Sequence, residues 1–198
     1  ICDWFVDNKL SIHFGEDKTK SILFAPINKC KKVTNKLNIR YGDVQIKQYS
    51  KVTYLGCILD ESLSGESMAL NVISKVNTRL KFLYRKNRFL STQLRRMLCN
   101  ALIQPHLDYA CSVWYPNLNK KLKTKLQVFQ NKCVRFCLKL NDRAHVGVSE
   151  IEKINWLPVD FRFKQCLLTN AFKFFNDKCA LYMKEVFDKS CINQAATR

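Results

Sequence analysis

The spacing of the apolar residues changes once along this chain, near Met68. Before that residue, apolar and polar residues alternate in short runs, as in residues 10–14 (LSIHF), which is typical of strands with one buried face. After it, apolar residues recur every three or four positions, as in residues 72–83 (VISKVNTRLKFL), which is typical of amphipathic helices. The sequence therefore predicts an α+β protein, with a small antiparallel sheet followed by a helical bundle.

Three segments carry the predicted strands. Residues 10–24 predict a strand, a tight connection at Gly15 and a second strand. Residues 38–47 (NIRYGDVQIK) predict a β-hairpin that turns at Gly42-Asp43. Residues 52–59 (VTYLGCIL) predict one more strand, in which Gly56 marks either a bend or a close approach of a second backbone.

Helices are predicted on both sides of these strands. Ser91 is the expected N-cap of a helix that buries Leu94, Leu98 and Leu102, and Pro105 is expected to begin another helix that runs to Pro116. The remaining helical segments are residues 1–9, 68–86, 120–140 and 161–176, with a turn at Trp156-Leu157-Pro158 before the last.

The net charge of +18 is concentrated in the middle of the chain. Residues 67–148 hold 16 Lys and Arg against 2 Asp and Glu, a net charge of +14, whereas residues 1–66 and 149–198 each carry +2. Such a concentration repels itself unless a polyanion neutralises it, and nucleic acid is the commonest such partner. An anionic membrane surface is the competing partner. No apolar stretch approaches the roughly 20 residues that a bilayer-spanning helix needs.

The basic residues form stripes beside the predicted apolar faces. In the first helix after Met68 the stripe is Lys75, Arg79 and Lys86, and in residues 120–140 it is Lys121, Lys125, Lys132, Arg135 and Lys139. A solvated helix face is the ordinary explanation of charged stripes, but no acid interrupts these two. We therefore predict that they bind phosphates.

Cysteine, histidine and acidic residues predict no metal site. The ten cysteines include no Cys-x-x-Cys pair and fall mostly in apolar helical patterns, so reduced core thiols are expected. The adjacent acids, Glu16-Asp17 and Asp60-Glu61, follow predicted strands and are expected to be solvated turn residues. No signal peptide is recognisable, so an intracellular protein is expected.

Several segments resemble one enzyme family in the same order. Residues 10–24 (LSIHFGEDKTKSILF), 52–59 (VTYLGCIL) and 101–116 (ALIQPHLDYACSVWYP) resemble the tail of the reverse transcriptases of non-LTR retrotransposons, of the jockey or long-interspersed-element type. They are similar to the strand and Lys-Thr pair after the catalytic aspartates, to the primer-grip hairpin and to a thumb helix. Residues 126–140 and 155–163 are similar to later thumb segments.

This resemblance implies a division into domains. Residues 1–66 would be the end of the palm, residues 67–148 the basic helical thumb, and residues 149–198 its continuation. Lys18 would assist departure of the leaving group, and Tyr54, Leu55 and Gly56 would position the primer. The catalytic aspartates would precede Ile1.

The same resemblance implies partners and a cofactor. The partners would be an RNA template, an RNA–DNA or DNA duplex, and the upstream palm and fingers. The complete polymerase would use Mg²⁺, and the particle would work as a ribonucleoprotein in the nucleus, the cytoplasm or both. A domesticated nucleic-acid binder, a scaffold for acidic proteins and a decayed copy without function are the alternatives.

We predict that this chain alone does not extend a primer. Two-metal phosphoryl transfer needs clustered carboxylates that hold two ions about 3.5 to 4 Å apart, and the sequence has no adjacent Asp-Asp pair. The measurement is an extension assay with primer, template, deoxynucleotides and magnesium. Template-dependent products from the purified chain would contradict the prediction.

Overall fold

The computed structural model describes residues 2–11, 13, 18–26, 38–176, 178–180 and 182, and in them it confirms the α+β class. The strands of the described residues are β1 (Ile39–Tyr41), β2 (Val44–Ile46), β3 (Lys51–Tyr54) and β4 (Cys57–Asp60). The helices are α1 (Cys2–Asp7), α2 (Glu66–Arg85), α3 (Thr92–Leu102), α4 (Gln104–Asp108), α5 (Cys111–Trp114), α6 (Lys120–Leu138), α7 (Val148–Lys153) and α8 (Val159–Phe175), with a 3₁₀ turn at Asn87–Phe89.

The four strands form two separate antiparallel hairpins. β1 pairs with β2 around Gly42, whose φ of +56° suits glycine, as the Gly-Asp signal predicts. β3 pairs with β4, so the prediction of a single strand over residues 52–59 is wrong. Leu55 and Gly56 both have positive φ, +46° and +78°, and the chain reverses there within two residues.

The predicted strand pair of residues 10–24 is not formed in its described part. Ser21 makes one isolated bridge to Gln48, in which its N–H donates to the Lys47 carbonyl at 3.1 Å and its carbonyl accepts from Tyr49 N–H at 2.9 Å. A strand requires a continuing ladder, and a single bridge does not supply one. Residues 12 and 14–17 of this segment lie outside the described residues.

The junction between the strands and the helices is tightly packed. Asp60 at the end of β4 accepts from Ser62 Oγ at 3.0 Å and from Ser64 N–H at 2.8 Å, which fixes the turn that leads into α2. Gly65 at the start of α2 has φ +71°, and a Cβ there would lie 2.1 Å from the Trp114 carbonyl oxygen. Only glycine fits this approach of α2 to α5.

A core of α2, α3 and α6 supports the helical half. The apolar stripes predicted for α2 and α6 are buried, which confirms their period. The most enclosed apolar residues include Val76, Leu126, Cys133 and Phe136.

The buried face of α3 differs from the prediction. Ser91 caps the helix as expected, accepting from Leu94 N–H at 3.3 Å. Leu94 and Leu102, however, are 41% and 37% exposed, whereas Arg95 is 4% exposed. Leu98 is partly buried.

Hydrogen bonds explain why Arg95 lies in the core. Its guanidinium donates to three carbonyls, those of Leu90 at 3.0 Å, Phe136 at 3.1 Å and Asn87 at 2.7 Å. These bonds replace the hydrogen bonds to water that the cation loses on burial. They also orient α3 so that Leu94 and Leu102 face outward.

The single helix predicted from Pro105 to Pro116 is broken into α4 and α5. Ala110 has φ +49°, which ends the α-helical path. The break allows Trp114 Nε1 to donate to the Tyr109 carbonyl at 3.0 Å, and Tyr109 is thereby turned toward the β3–β4 hairpin.

Polar bonds from α6 hold the predicted turn before α8. Gln130 is fully buried, and its amide donates to the Leu157 carbonyl at 2.8 Å. Gln127 accepts from Val159 N–H at 3.0 Å, which positions the first residue of α8. Arg162 then joins α8 to Asp108 of α4 at 2.5 Å.

Seven cysteines in the described part of the chain are free thiols, and five of them are buried: Cys57, Cys99, Cys111, Cys133 and Cys137. Burial raises the pKa of Cys133 well above its usual range, and a hydrogen bond with Cys137 together with burial does the same for Cys99. None of the helices in the described residues combines the length and the apolar content that crossing a bilayer requires.

We predict that Arg95→Met destabilises the fold by about 2 to 4 kcal/mol, because three carbonyls each lose a hydrogen bond from the guanidinium. Arg95→Lys should lose less, since an ammonium keeps the charge. The control is Arg96→Met, a neighbour on the same helix that is more exposed, which should cost less than about 1 kcal/mol. Guanidinium unfolding measures these values, and equal losses at both arginines would contradict the assigned role.

Candidate nucleic-acid interface

Three lysines of α6 form an exposed row, which we call the α6 stripe: Lys121, Lys125 and Lys132. The helix begins at Asn119, whose side chain accepts from Leu122 N–H at 2.9 Å. Leu122, Leu126 and Phe129 are buried, and the lysines lie about a quarter turn away on an exposed flank of the helix. At 1.5 Å per residue the stripe spans about 16 Å.

The two remaining predicted cations of α6 lie at its C-terminal end. Arg135 is half-buried, and its Nε donates to the Ala144 carbonyl at 2.8 Å. Lys139 is the exposed C-cap residue, with φ +56°. Positive charge near the last carbonyls of a helix is stabilising, so both residues also have a structural explanation.

The predicted basic stripe of α2 lies on the flank of the helix that faces α4. Lys75 and Lys86 are exposed, but the Arg79 guanidinium contacts His106 Nε2 of α4. Burial and the charges of Arg79 and Lys75 lower the pKa of His106, which favours the neutral ring as an acceptor. This flank of α2 therefore faces α4, and Arg79 is engaged within the protein.

A different pair of α2 cations meets α6. Lys81 and Arg85, together with Lys132 and Arg135, line a groove of about 550 Å³ between α2 and α6. We call it the α2–α6 groove. Six positions separate Lys75 from Lys81, which places them about 120° apart around the helix. The cations of α2 that meet the α6 stripe are therefore Lys81 and Arg85, and not the predicted Lys75, Arg79 and Lys86.

The spacing of Lys81 and Arg85 was the only signal in the sequence that they belong together. Lys81 and Arg85 are four residues apart, which puts them on one face, as for the predicted stripe. The pattern of a single helix gives two flanks beside its apolar stripe, and it does not say which flank meets a second helix.

The predicted primer-grip residues form the tip of the β3–β4 hairpin. Tyr54 and Leu55 are 65% and 75% exposed. The Tyr109 hydroxyl donates to the Leu55 carbonyl, and the Tyr109 ring lies beside Gly56, where a Cβ would be 3.7 Å away. Gly56 therefore lies in the turn of a hairpin that the Tyr109 side chain supports, and not within a single strand.

Lys18 lies in an exposed turn. The next residue, Thr19, donates its hydroxyl to the His13 carbonyl at 2.8 Å. Glu16 and Asp17 lie outside the described residues.

The described residues do not fit a two-magnesium site. Within them, no three His, Cys, Asp or Glu side chains are grouped so as to hold a metal ion. Asp60 is a buried acid, and its second oxygen accepts from Ser64 Oγ at 2.8 Å. Burial raises the pKa of Asp60, but the bonds from Ser64 and Ser62 outweigh it and lower that pKa overall, as suits a structural carboxylate.

Comparisons with protein-family models, with curated proteins and with solved structures found no match for this chain. The likeness to non-LTR reverse transcriptases therefore depends on the sequence segments given above and stays a prediction.

We predict that Tyr109→Phe loosens the β3–β4 hairpin while costing only about 1 kcal/mol of overall stability, because one hydrogen bond is lost and the ring remains. Amide hydrogen exchange should become faster at residues 54–58. The amides of β1 and β2 are the internal control. Unchanged exchange at residues 54–58 would mean that the hydroxyl does not hold the turn.

Proposed function

We propose that this chain binds nucleic acid through the α6 stripe, as the thumb of a non-LTR reverse transcriptase would hold its primer–template. One observation carries the proposal. Lys121, Lys125 and Lys132 project from one helix whose 19 residues include no acid.

The spacing of the stripe suits a phosphate backbone. A strand rises about 3.4 Å per nucleotide, so about 16 Å of helix follows roughly five nucleotides. Each lysine that neutralises a phosphate releases a counterion, which favours binding at low salt. Contacts of this kind position a duplex and do not read its bases.

The family resemblance extends the proposal to the complete polymerase. The parent enzyme would copy RNA into DNA with Mg²⁺ and deoxynucleotides, with metal binding assigned to residues outside the described ones. The β3–β4 hairpin would place the primer, and Lys18 would assist pyrophosphate departure. The particle would be a ribonucleoprotein in the nucleus or the cytoplasm.

A protein-binding scaffold is the second candidate. The outward face of α8 favours it, because Leu168 and Phe175 are 71% and 72% exposed. Apolar exposure of this kind is typical of protein-binding surfaces, and it gives no account of the α6 stripe.

We predict that Lys121→Glu, Lys125→Glu and Lys132→Glu together weaken binding of a 20-base-pair RNA–DNA hybrid by at least about 100-fold, because hydrogen bonds to charged groups contribute about 1.5 to 3 kcal/mol each. The matched control is Lys9→Glu, Lys20→Glu and Lys51→Glu, which makes the same charge change on exposed lysines of the strand half. The control should lose less than about fivefold.

Salt dependence provides the second readout. The slope of log affinity against log salt should fall by about 2.7 in the stripe variant, since each phosphate contact contributes about 0.9. Equal losses in the two triple variants would indicate diffuse attraction, and a salt-independent affinity would favour an apolar protein partner.

A further inference from the structure

The α2–α6 groove has the dimensions of a small-ligand site. Its volume is about 550 Å³, within the range of about 300 to 1,000 Å³ that encloses small molecules. Its lining includes Lys81, Tyr84, Arg85, Lys132, Arg135 and Asp142. A space of this size can enclose one nucleotide and cannot enclose a duplex.

The net positive charge of the groove lining favours an anionic ligand. Four cations come from two helices, and Asp142 is the one acid among the lining residues. Within the described residues, Lys81, Arg85 and Lys132 form no ion pair. Their charge is therefore available to phosphate groups.

Tyr84 adds an aromatic surface to this basic site. Its ring meets the Phe136 ring at 4.9 Å and 61°, while 37% of the residue stays exposed. Burial and the nearby Asp142 carboxylate raise the pKa of Tyr84, so the phenol stays a neutral hydrogen-bond donor. Aromatic rings beside Lys and Arg are the usual elements of single-strand binding, because an unpaired base stacks on the ring while its phosphates meet the cations.

We propose that the α2–α6 groove binds a single-stranded stretch of nucleic acid, with one unpaired base against Tyr84 and its flanking phosphates on Lys81, Arg85 and Lys132. This inference depends on the proposed nucleic-acid binding and adds a second, separate substrate form to it. Bases inside a duplex are stacked on each other and cannot reach Tyr84, so Tyr84 discriminates between the two forms, whereas Lys132 belongs to both the groove and the α6 stripe.

Substitution of Tyr84 tests the aromatic contact. With the full chain and a labelled ten-nucleotide oligouridine as the probe, Tyr84→Leu should weaken binding by about 5- to 100-fold, the measured range for losing one stacked base. Tyr84→Phe keeps the ring and should stay within about twofold. Affinity for the 20-base-pair hybrid should change less than about threefold in both variants.

Substitution of the charges tests the phosphate contacts. Lys81→Ala with Arg85→Ala should weaken oligouridine binding at least about tenfold, by removing two charge-assisted contacts. Lys9→Ala with Lys51→Ala removes the same charge from exposed lysines of the strand half and should lose less than about threefold. Asp142→Asn should tighten binding, since it removes the single opposing charge.

The outcomes separate the two proposals. An unchanged oligouridine affinity in Tyr84→Leu, or equal losses in the two double variants, would overturn the groove assignment. If hybrid binding then still depends on the α6 stripe, the proposed function stands without the groove. If the unsubstituted chain binds neither probe, the proposed function fails as well.

Discussion

Arg95 is the constraint on which the helical half depends. A guanidinium has five donors in a fixed plane, and in this protein three carbonyls from two different segments converge on it. The Asn87 and Leu90 carbonyls belong to the connection between α2 and α3, and the Phe136 carbonyl lies at the end of α6. One side chain therefore sets the distance between all three core helices.

The packing around Arg95 also supports the α2–α6 groove. The Arg95 guanidinium also lies over the Phe136 ring, 5.2 Å from its centroid, and the same ring supports Tyr84 in the α2–α6 groove. Arg95 packs on Phe136, Phe136 packs on Tyr84, and Tyr84 lies beside the cations of the α2–α6 groove. A change at Arg95 would thus alter the groove without touching any of its lining residues.

Sequence patterns predicted the elements whose stability depends on a regular apolar period. α6 is the clearest case, because its stripe continues without interruption from Leu122 to Phe136. The buried face of α3 was predicted wrongly for the opposite reason, since an arginine is expected at the surface and only contacts distant in sequence explain its burial. The break at Ala110 and the turn at Leu55 depend on positive φ at residues that ordinarily avoid it, so composition gave no signal. In the candidate site, the α6 stripe was found and Lys81 and Arg85 were not, because pairing between helices is a tertiary property.

The buried thiols of the core can also report on opening of the helical core. Cys99 and Cys133 are sealed from solvent, and their raised pKa values suppress the thiolate that reacts with alkylating reagents. Each protection disappears when the helices separate. The rate at which such a reagent labels these cysteines would therefore follow the opening of the α3–α6 contact, so the chain carries its own native probe of how often its helical core comes apart.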